Sequence, residues 1–539
     1  MKLTKFYTVF IVFIVFISVF YFLFYLKWDT RQIKNKIKIQ WTEDMIKPEI
    51  NEQNSRFSMI GEKIVHIDLK GAPPKISFYK YLLPLLAKFG ATGILLEYED
   101  MFPYSGDLVN ISARNAYTLD DIKEINKLAA EQNLKIIPLI QMFGHLEFIL
   151  KLNSYEDLRE VPEYPQVICP TNEKTVKLLE VMVEQVIRSH NNIQYIHIGA
   201  DEVFYLGVCD RCTDFMMKNN LSKNLLYAQY IKKIVGIIKR LYPNITVLMW
   251  DDQFRSFTNR DFSFSNISNY IEPVIWKYTK DVYDELGPSL WNSYEKHFKN
   301  VWIASAFKGA TGSNEVLPAT THYLQNHHSW MSVVAEYSNQ INFQGIIITG
   351  WQRYDHFAIL CELLPLGLPI LAMSLRIVLG YNDSPLSPPT EIANLLKCKQ
   401  PYALIGPAFG SPKCTFPGGE IIENIIRFQQ LKQEFESIIE NSKVKGWMTD
   451  YNVNHCFTNI YFVETVTTPL GKIKQDLFEV KALLEVSLSD IYDEFTVNEW
   501  IETYVKPLDR QVNNLWDAKM KLSSKKNWDR RPFVKETCR

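Results

Sequence analysis

Eight short apolar runs, rich in β-branched residues, recur between residues 63 and 350 and are mostly separated by stretches with helical spacing. The runs are 63–68, 92–97, 135–140, 194–199, 246–251, 272–276, 301–306 and 345–350. Nearly continuous apolar runs of this length suit strands buried on both faces, as in parallel sheets. Between them, Asp120 and Asp121 open a segment with apolar positions at Ile122, Ile125, Leu128 and Ala129. Val176, Leu179, Val183, Val186 and Ile187 repeat the helical spacing. Similar segments fall near 79–89, 223–241 and 356–377. The alternation predicts an α/β fold, a (β/α)8 TIM barrel over residues 62–384. A doubly wound sheet is the competing arrangement, but no Gly-x-Gly-x-x-Gly follows an early strand.

The flanks read differently. Phe6 to Leu26 is apolar without one charge, long enough for a membrane-crossing helix, and Tyr7, Tyr21, Tyr25 and Trp28 stand near its ends. Residues 1–29 are therefore expected to be an N-terminal transmembrane anchor, making a single-pass membrane protein, and the polar residues 30–61 a stalk. Lys27, Arg31, Lys34, Lys36 and Lys38 after the run would favour a cytoplasmic domain. Asn-x-Ser/Thr sequons at Asn110, Asn220, Asn244, Asn266 and Asn382 are no more than chance supplies. The expected placement is luminal or extracellular, with the cytoplasmic one left open. Pro385, Pro388 and Pro389 mark a break, after which 418–440 and 472–522 predict a C-terminal helical region over 385–539.

A formal net charge of −1 gives no electrostatic footprint for nucleic acid. Cys209 and Cys212 form a single Cys-x-x-Cys. A structural zinc needs four ligands and no second cysteine pair stands nearby, so free or packing thiols are the first reading, ahead of a disulfide or a metal. No cofactor is expected, and a homodimer stays open.

In a barrel, chemistry gathers at the C-terminal ends of the strands. Here those ends carry Asp68 and Lys70, then Glu97, Glu99 and Asp100, then Gln141 and His145, then Asp201 and Glu202. The last four carry Trp250 with Asp251 and Asp252, Trp276 with Tyr278, Lys308 with Gly309, and Trp351 with Arg353 and Tyr354. A lone tryptophan or histidine at a strand end is more often structural; recurrence at all eight ends argues for a site. His197, Gly199 and Asp201 share parity, so a strand continuing to Asp201 would point it inward, with Glu202 free to bend over the rim. Two adjacent carboxylates in one pocket repel, which raises the pKa of one and keeps a proton available for a leaving oxygen. The Asp-Glu dipeptide by itself reads first as a surface pair at an acidic helix start, where negative charge suits the dipole.

The full string His197-x-Gly199-x-Asp201-Glu202 resembles the signature of family-20 glycoside hydrolases, the β-N-acetylhexosaminidases. Gln-Met-Phe-Gly-His-Leu-Glu at 141–147, Leu-Leu-Glu-Tyr-Glu-Asp-Met-Phe-Pro-Tyr at 95–104, Ala-Phe-Lys-Gly-Ala at 306–310 and Thr-Gly-Trp-Gln-Arg-Tyr-Asp-His at 349–356 are similar to the hexosaminidase D branch. The resemblance spans about residues 62–375. It implies exo-acting, substrate-assisted, retaining hydrolysis of N-acetylhexosamine-terminated glycans, an exception to the two-carboxylate scheme. Glu202 would be the acid and base, and Asp201 would hold the acetamido group. Trp250, Trp276 and Trp351 would wall the pocket, Tyr278 or Tyr354 would bond the acetamido oxygen, and His145 and Glu97 would line the sugar site. The chain departs from the family pattern where Lys70 stands in place of an arginine, and where Arg353 replaces an acid; both bear on the 4-hydroxyl contacts. Two other classes are compatible with the residues: a non-catalytic glycan-binding membrane protein on a barrel, and a metal-dependent hydrolase using His145 and His197.

Overall fold

The computed structural model describes residues 60–381, 383, 389–399 and 412–533. Eight parallel strands close a barrel in the order β1-β10-β9-β8-β7-β6-β3-β2. They are β1 (Glu62–Asp68), β2 (Gly93–Glu97), β3 (Lys135–Leu139), β6 (Tyr195–His197), β7 (Thr246–Trp250), β8 (Glu272–Trp276), β9 (Val301–Lys308) and β10 (Phe343–Gly350). Two further strands, β4 (Arg159–Val161) and β5 (Tyr164–Ile168), form an antiparallel hairpin after β3. The ring closes where Glu62 pairs with Gly345 and Val65 with Ile348. Each barrel strand falls on one of the predicted runs, because burial on both faces makes the strand signal continuous.

Inward residues of successive strands fill the barrel: Ile64, Leu95, Ile137, Leu139, Leu248, Val274, Trp302, Ala304 and Ile347 pack together, with Trp250 at one end. Outside, helices cover the strands with their apolar faces. Leu119–Glu131 starts at a capping box between Thr118 and Asp121 and buries Ile122, Ile125 and Ala129. Glu173–Arg188 is capped by Asn172 and buries Leu179, Met182, Val183 and Val186.

β6 is shorter than its run suggests. Gly199 (φ +60°) and Ala200 (φ +67°) leave extended conformation, so the strand stops at His197. Asp201 is thus reached through a left-handed turn and not by continuation of strand parity.

Beyond the barrel, helices Gly419–Ile439 and Leu470–Ile491 pack on each other and bury Ile421, Ile425, Phe428, Leu477, Leu484 and Leu488. This helical region backs the barrel mouth: Lys75 N–H donates to the Ile491 carbonyl (2.7 Å), and Asn115 to Asp493 (3.0 Å). The break at 384–388 lies outside the described residues.

The expectation of a single-pass membrane protein is overturned: among the described residues no helix is long and apolar enough to cross a membrane. The run Phe6–Leu26 on which it rested, and with it the anchor and stalk, lies outside the described residues.

Candidate active site

The strand ends surround a cavity of about 260 Å³. It is lined by Lys70, Glu97, His145, Asp201, Glu202, Trp250, Trp276, Tyr278, Trp351 and Tyr354, the ten residues that the resemblance places at the site, whereas Asp68, Glu99, Asp100, Asp251, Asp252 and Lys308 of the strand ends do not line it. Gln141, Gly309, Ala310 and Arg353 complete the wall.

The turn after β6 is built to present two carboxylates. A Cβ on Gly199 would lie 1.8 Å from Gln141 Oε1, and one on Gly144 would lie 2.0 Å from the Asp201 carbonyl oxygen. Only glycine permits these approaches. Gln141 accepts from Ala200 N–H (3.3 Å) and donates to Glu97 Oε1 (3.3 Å), tying the β6 turn to the end of β2. Tyr227 OH donates to the Ala200 carbonyl at 2.8 Å, and Glu202 N–H to Asp252 Oδ2 at 3.0 Å. Glu99, His145, Ala200 and Glu202 all hold positive φ. Such backbone costs of order 1–3 kcal/mol per residue and persists where surrounding structure imposes it, characteristically at functional sites.

His145 sits between the acids, its Nε2 3.1 Å from Glu202 Oε2 and 3.6 Å from Asp201 Oδ2. Burial opposes a charge on this imidazole, but Asp201, Glu202 and Glu147 outweigh it and lift its pKa to about 10. Burial pushes the Asp201 carboxyl up to about 7 against the pull of His145, with Asp252 and Glu202 adding to the rise. Glu202 goes the other way: the hydrogen bond with His145 holds it below the ordinary glutamate range despite partial burial. Below about pH 7 the pair therefore holds one proton, and that proton rests on Asp201, the more deeply buried acid. Asp201 Oδ1 is buried and has no hydrogen-bond partner among the described residues.

Opposite the acids stand aromatic rings. Trp276 stacks on Tyr278 (5.4 Å, 27°), Tyr278 meets Trp351 edge-on (6.4 Å, 65°), and Trp250 lies 6.0 Å from Trp351. Asp252 accepts from Trp276 Nε1 (3.4 Å) while holding the Glu202 backbone, so one side chain sets both walls. Arg255 clamps Asp251 through two bonds (2.9 and 2.6 Å) and donates to the Trp276 carbonyl.

Glycosyl hydrolase family 20, catalytic domain, is the family whose model matches, over residues 79–286. Hexosaminidase D of Homo sapiens is 35% identical over 450 residues, 83% of this chain and 91% of that protein. Hexosaminidase D of Bos taurus is 43% identical over 319 residues, 59% of this chain and 92% of that protein. The chain belongs to glycosyl hydrolase family 20. It is accordingly a glycoside hydrolase. The solved β-N-acetylhexosaminidase from Bacteroides fragilis NCTC 9343 superposes with a TM-score of 0.46 at 14% identity, covering 60% of this chain and 68% of that one.

Lys70, read from the sequence as standing where the resemblance expects an arginine, puts its Nζ 3.1 Å from Asp68, 3.3 Å from Glu97 and 3.6 Å from Glu99, and 5.2 Å from the Trp351 ring centre. Burial would lower its pKa, but the three carboxylates hold it well above the ordinary lysine value. Arg353, read as standing where the resemblance expects an acid, donates to the carbonyls of Lys70 (3.0 Å) and Ala358 (2.9 Å) and to Glu499 (2.8 Å) of the helical region. His197 is not part of the wall. Its ring packs against Trp250 (4.4 Å) and accepts from Gly199 N–H (3.0 Å), so the metal-dependent alternative lacks its second histidine.

Sequence reasoning undervalued Gln141 and Asp252, which orient the acids. Both stood in quoted strand-end motifs, but their work is to hold backbone N–H groups across strands, and only the turn geometry exposes it.

Proposed function

We propose that the chain is an exo-acting β-N-acetylhexosaminidase that removes terminal GlcNAc or GalNAc residues by substrate-assisted, retaining catalysis. The observation that carries this reading is the unpartnered Asp201 Oδ1, buried beside Glu202 and facing aromatic walls in a cavity the size of one sugar. A buried carboxylate oxygen left unbonded costs free energy that a ligand N–H would recover, and an acetamido group supplies that donor.

An amide N–H is accepted best by an ionised carboxylate. Seating the acetamido group on Asp201 thus favours moving the shared proton to Glu202. Covering Glu202, whose side chain is 40% exposed, by the leaving group raises its proton affinity further. The acetamido oxygen then attacks the anomeric carbon as the C–O bond breaks, and Glu202 protonates the departing oxygen. Asp201 stabilises the positive charge developing on the oxazolinium nitrogen. Glu202, now ionised, takes a proton from water, whose oxygen opens the ring at the same face. Neither acid has to stand opposite as a nucleophile, which agrees with their adjacency. Trp250, Trp276 and Trp351 would pack against ring and acetamido methyl, Tyr278 or Tyr354 would orient the acetamido oxygen, and Lys70, His145 and Glu97 would fix the sugar.

The test is Glu202→Gln. A positioned acid is worth about 10²–10⁴ in rate, or ~3–5 kcal/mol of barrier, so turnover of an aryl N-acetylhexosaminide should fall by that factor in a folded protein. Near-normal turnover refutes the assignment. A thiazoline analogue of the oxazolinium should inhibit strongly; indifference to it would point to another route.

A further inference from the structure

Outside the cavity, three cysteines and one glutamate converge. Cys169 follows β5, Glu160 lies in β4, and Cys209 and Cys212 open the helix Asp210–Asn219. Cys169 Sγ is 3.6 Å from both Cys209 Sγ and Cys212 Sγ, and Glu160 Oε2 is 3.2 Å from Cys212 Sγ. The four ligand atoms all lie within 4.8 Å of one another. We propose that Cys169, Cys209, Cys212 and Glu160 bind one structural zinc ion.

The spacing favours a metal over a disulfide. Sulfurs at the corners of a tetrahedron with zinc–sulfur bonds of about 2.3 Å stand about 3.8 Å apart, close to the separations here. A disulfide needs about 2.05 Å, and Cys169 is equidistant from two candidates, so no pair is singled out. Glu160 supplies a second observation. It is 1% exposed and has no ion-pair partner among the described residues; a buried carboxylate without a cation is costly. Its Oε1 accepts from the backbone N–H groups of Val208 (2.8 Å) and Cys209 (3.1 Å), which aims Oε2 at the thiols. Cys209 Sγ accepts from Cys212 N–H (3.4 Å) at a helix N-terminus, where negative charge is favoured. Binding displaces the three thiol protons and leaves four ligands, the closed set of a structural site.

Its place in the fold gives it a task. The hairpin bearing Glu160 and leading to Cys169 bonds the segment around His145: Leu146 N–H donates to the Gln166 carbonyl (3.0 Å) and Ile168 N–H to Phe143 (3.2 Å). Cys209 and Cys212 lie on the segment that leaves Glu202. The ion would staple the loop that presents His145 to the loop that presents the acids. The sequence hid this because the partners of the Cys-x-x-Cys are a distant cysteine and a carboxylate, not a second cysteine pair.

The test is metal analysis of the full chain, purified from zinc-supplemented culture without chelator and dialysed. About one zinc per chain is expected, falling below about a tenth in Cys169→Ser and Cys212→Ser. Cobalt exchanged into the wild-type protein should give a thiolate-to-cobalt charge-transfer band in the near ultraviolet. Wild-type protein carrying less than about a tenth of a zinc, zinc retained in full by the Cys169→Ser/Cys212→Ser double variant, or a disulfide among these cysteines in unreduced peptide maps would each overturn the proposal. The wild-type measurement decides even if a variant fails to fold.

Discussion

Replacing His145 with Gln should shift the alkaline limb of the pH–rate profile upward. The imidazole Nε2 is 3.6 Å from Asp201 and 3.1 Å from Glu202, and with a pKa of about 10 it keeps its charge throughout the working range. A unit charge at that distance from Asp201, at an effective dielectric of about 20, is worth about 4–5 kcal/mol, or about three pKa units at ~1.4 kcal/mol each. The cavity is open to solvent on the Glu202 side, and glutamine retains a hydrogen bond to the acids, so about 1–2 units should survive screening. The sign follows from which form the cation favours. His145 stabilises ionised Asp201, so removing its charge raises the carboxyl above its present value of about 7. On the proposed mechanism the active pair holds one proton: a second is gained below the ordinary glutamate range at Glu202, and the one is lost near 7 at Asp201. Activity in the wild type should therefore fall as pH rises through about 7, and in the variant through ~8–9. The assay is kcat/KM for an aryl N-acetylhexosaminide from about pH 4 to about pH 10, with circular dichroism as the folding control. A limb that stays within about 0.3 unit, or moves down, refutes the argument that His145 sets the proton affinity of the pair.

Asp201→Asn keeps the shape of the acetamido partner but not its charge, and kcat should drop about 10²–10³-fold, read in the same assay. Gly199→Ala sets a methyl where Gln141 Oε1 stands 1.8 Å away, at φ +60°; folded protein should be recovered in lower yield with activity lost, and full activity would show the turn to be more yielding than its contacts indicate. Trp302→Ala, at a fully buried ring whose Nε1 donates to Glu272 (2.8 Å), should cost about 3–5 kcal/mol in urea unfolding.

The eight strands are legible in the sequence because two-sided burial writes an uninterrupted apolar run. Two barrel helices are not. Val282–His297 is interrupted at Gly287 (φ +63°) and Pro288, which break the spacing a helix would show. Thr320–Tyr337 buries Asn326 and His327, so its inner face does not read as apolar; both side chains are paid for by hydrogen bonds to Lys277 and Ser305. The predicted helix near 356–377 begins only at Leu364, since the preceding residues form the loop after β10. The site was legible at the level of strand ends. The proton's position on Asp201 was not, because it depends on which acid is the more deeply buried and which one His145 bonds.

Lys70 and Arg353, the two positions read from the sequence as departing from the resemblance, are tied by the bond from Arg353 to the Lys70 carbonyl, and that bears on epimer preference. The resemblance puts contacts to the sugar 4-hydroxyl at these positions. Lys70 faces three carboxylates, and Glu97 is already met by Lys70, Gln141 and His66 (2.9 Å). Of the five N–H groups of a guanidinium, Arg353, which lines the cavity, commits three to Lys70, Ala358 and Glu499. Both groups only donate, so each can meet the 4-hydroxyl oxygen and neither accepts its proton, whereas a carboxylate would also fix the hydroxyl hydrogen and so hold one epimer in a defined geometry. The expected consequence is weak discrimination: kcat/KM for aryl GlcNAc and aryl GalNAc substrates within about tenfold, or ~1.4 kcal/mol. Arg353→Met should lower both together by loosening the tie to Glu499, leaving their ratio in place. A ratio beyond about a hundredfold in the wild type would mean that some other group reads the 4-hydroxyl, and a ratio that collapses in Arg353→Met would mean that Arg353 itself reads it.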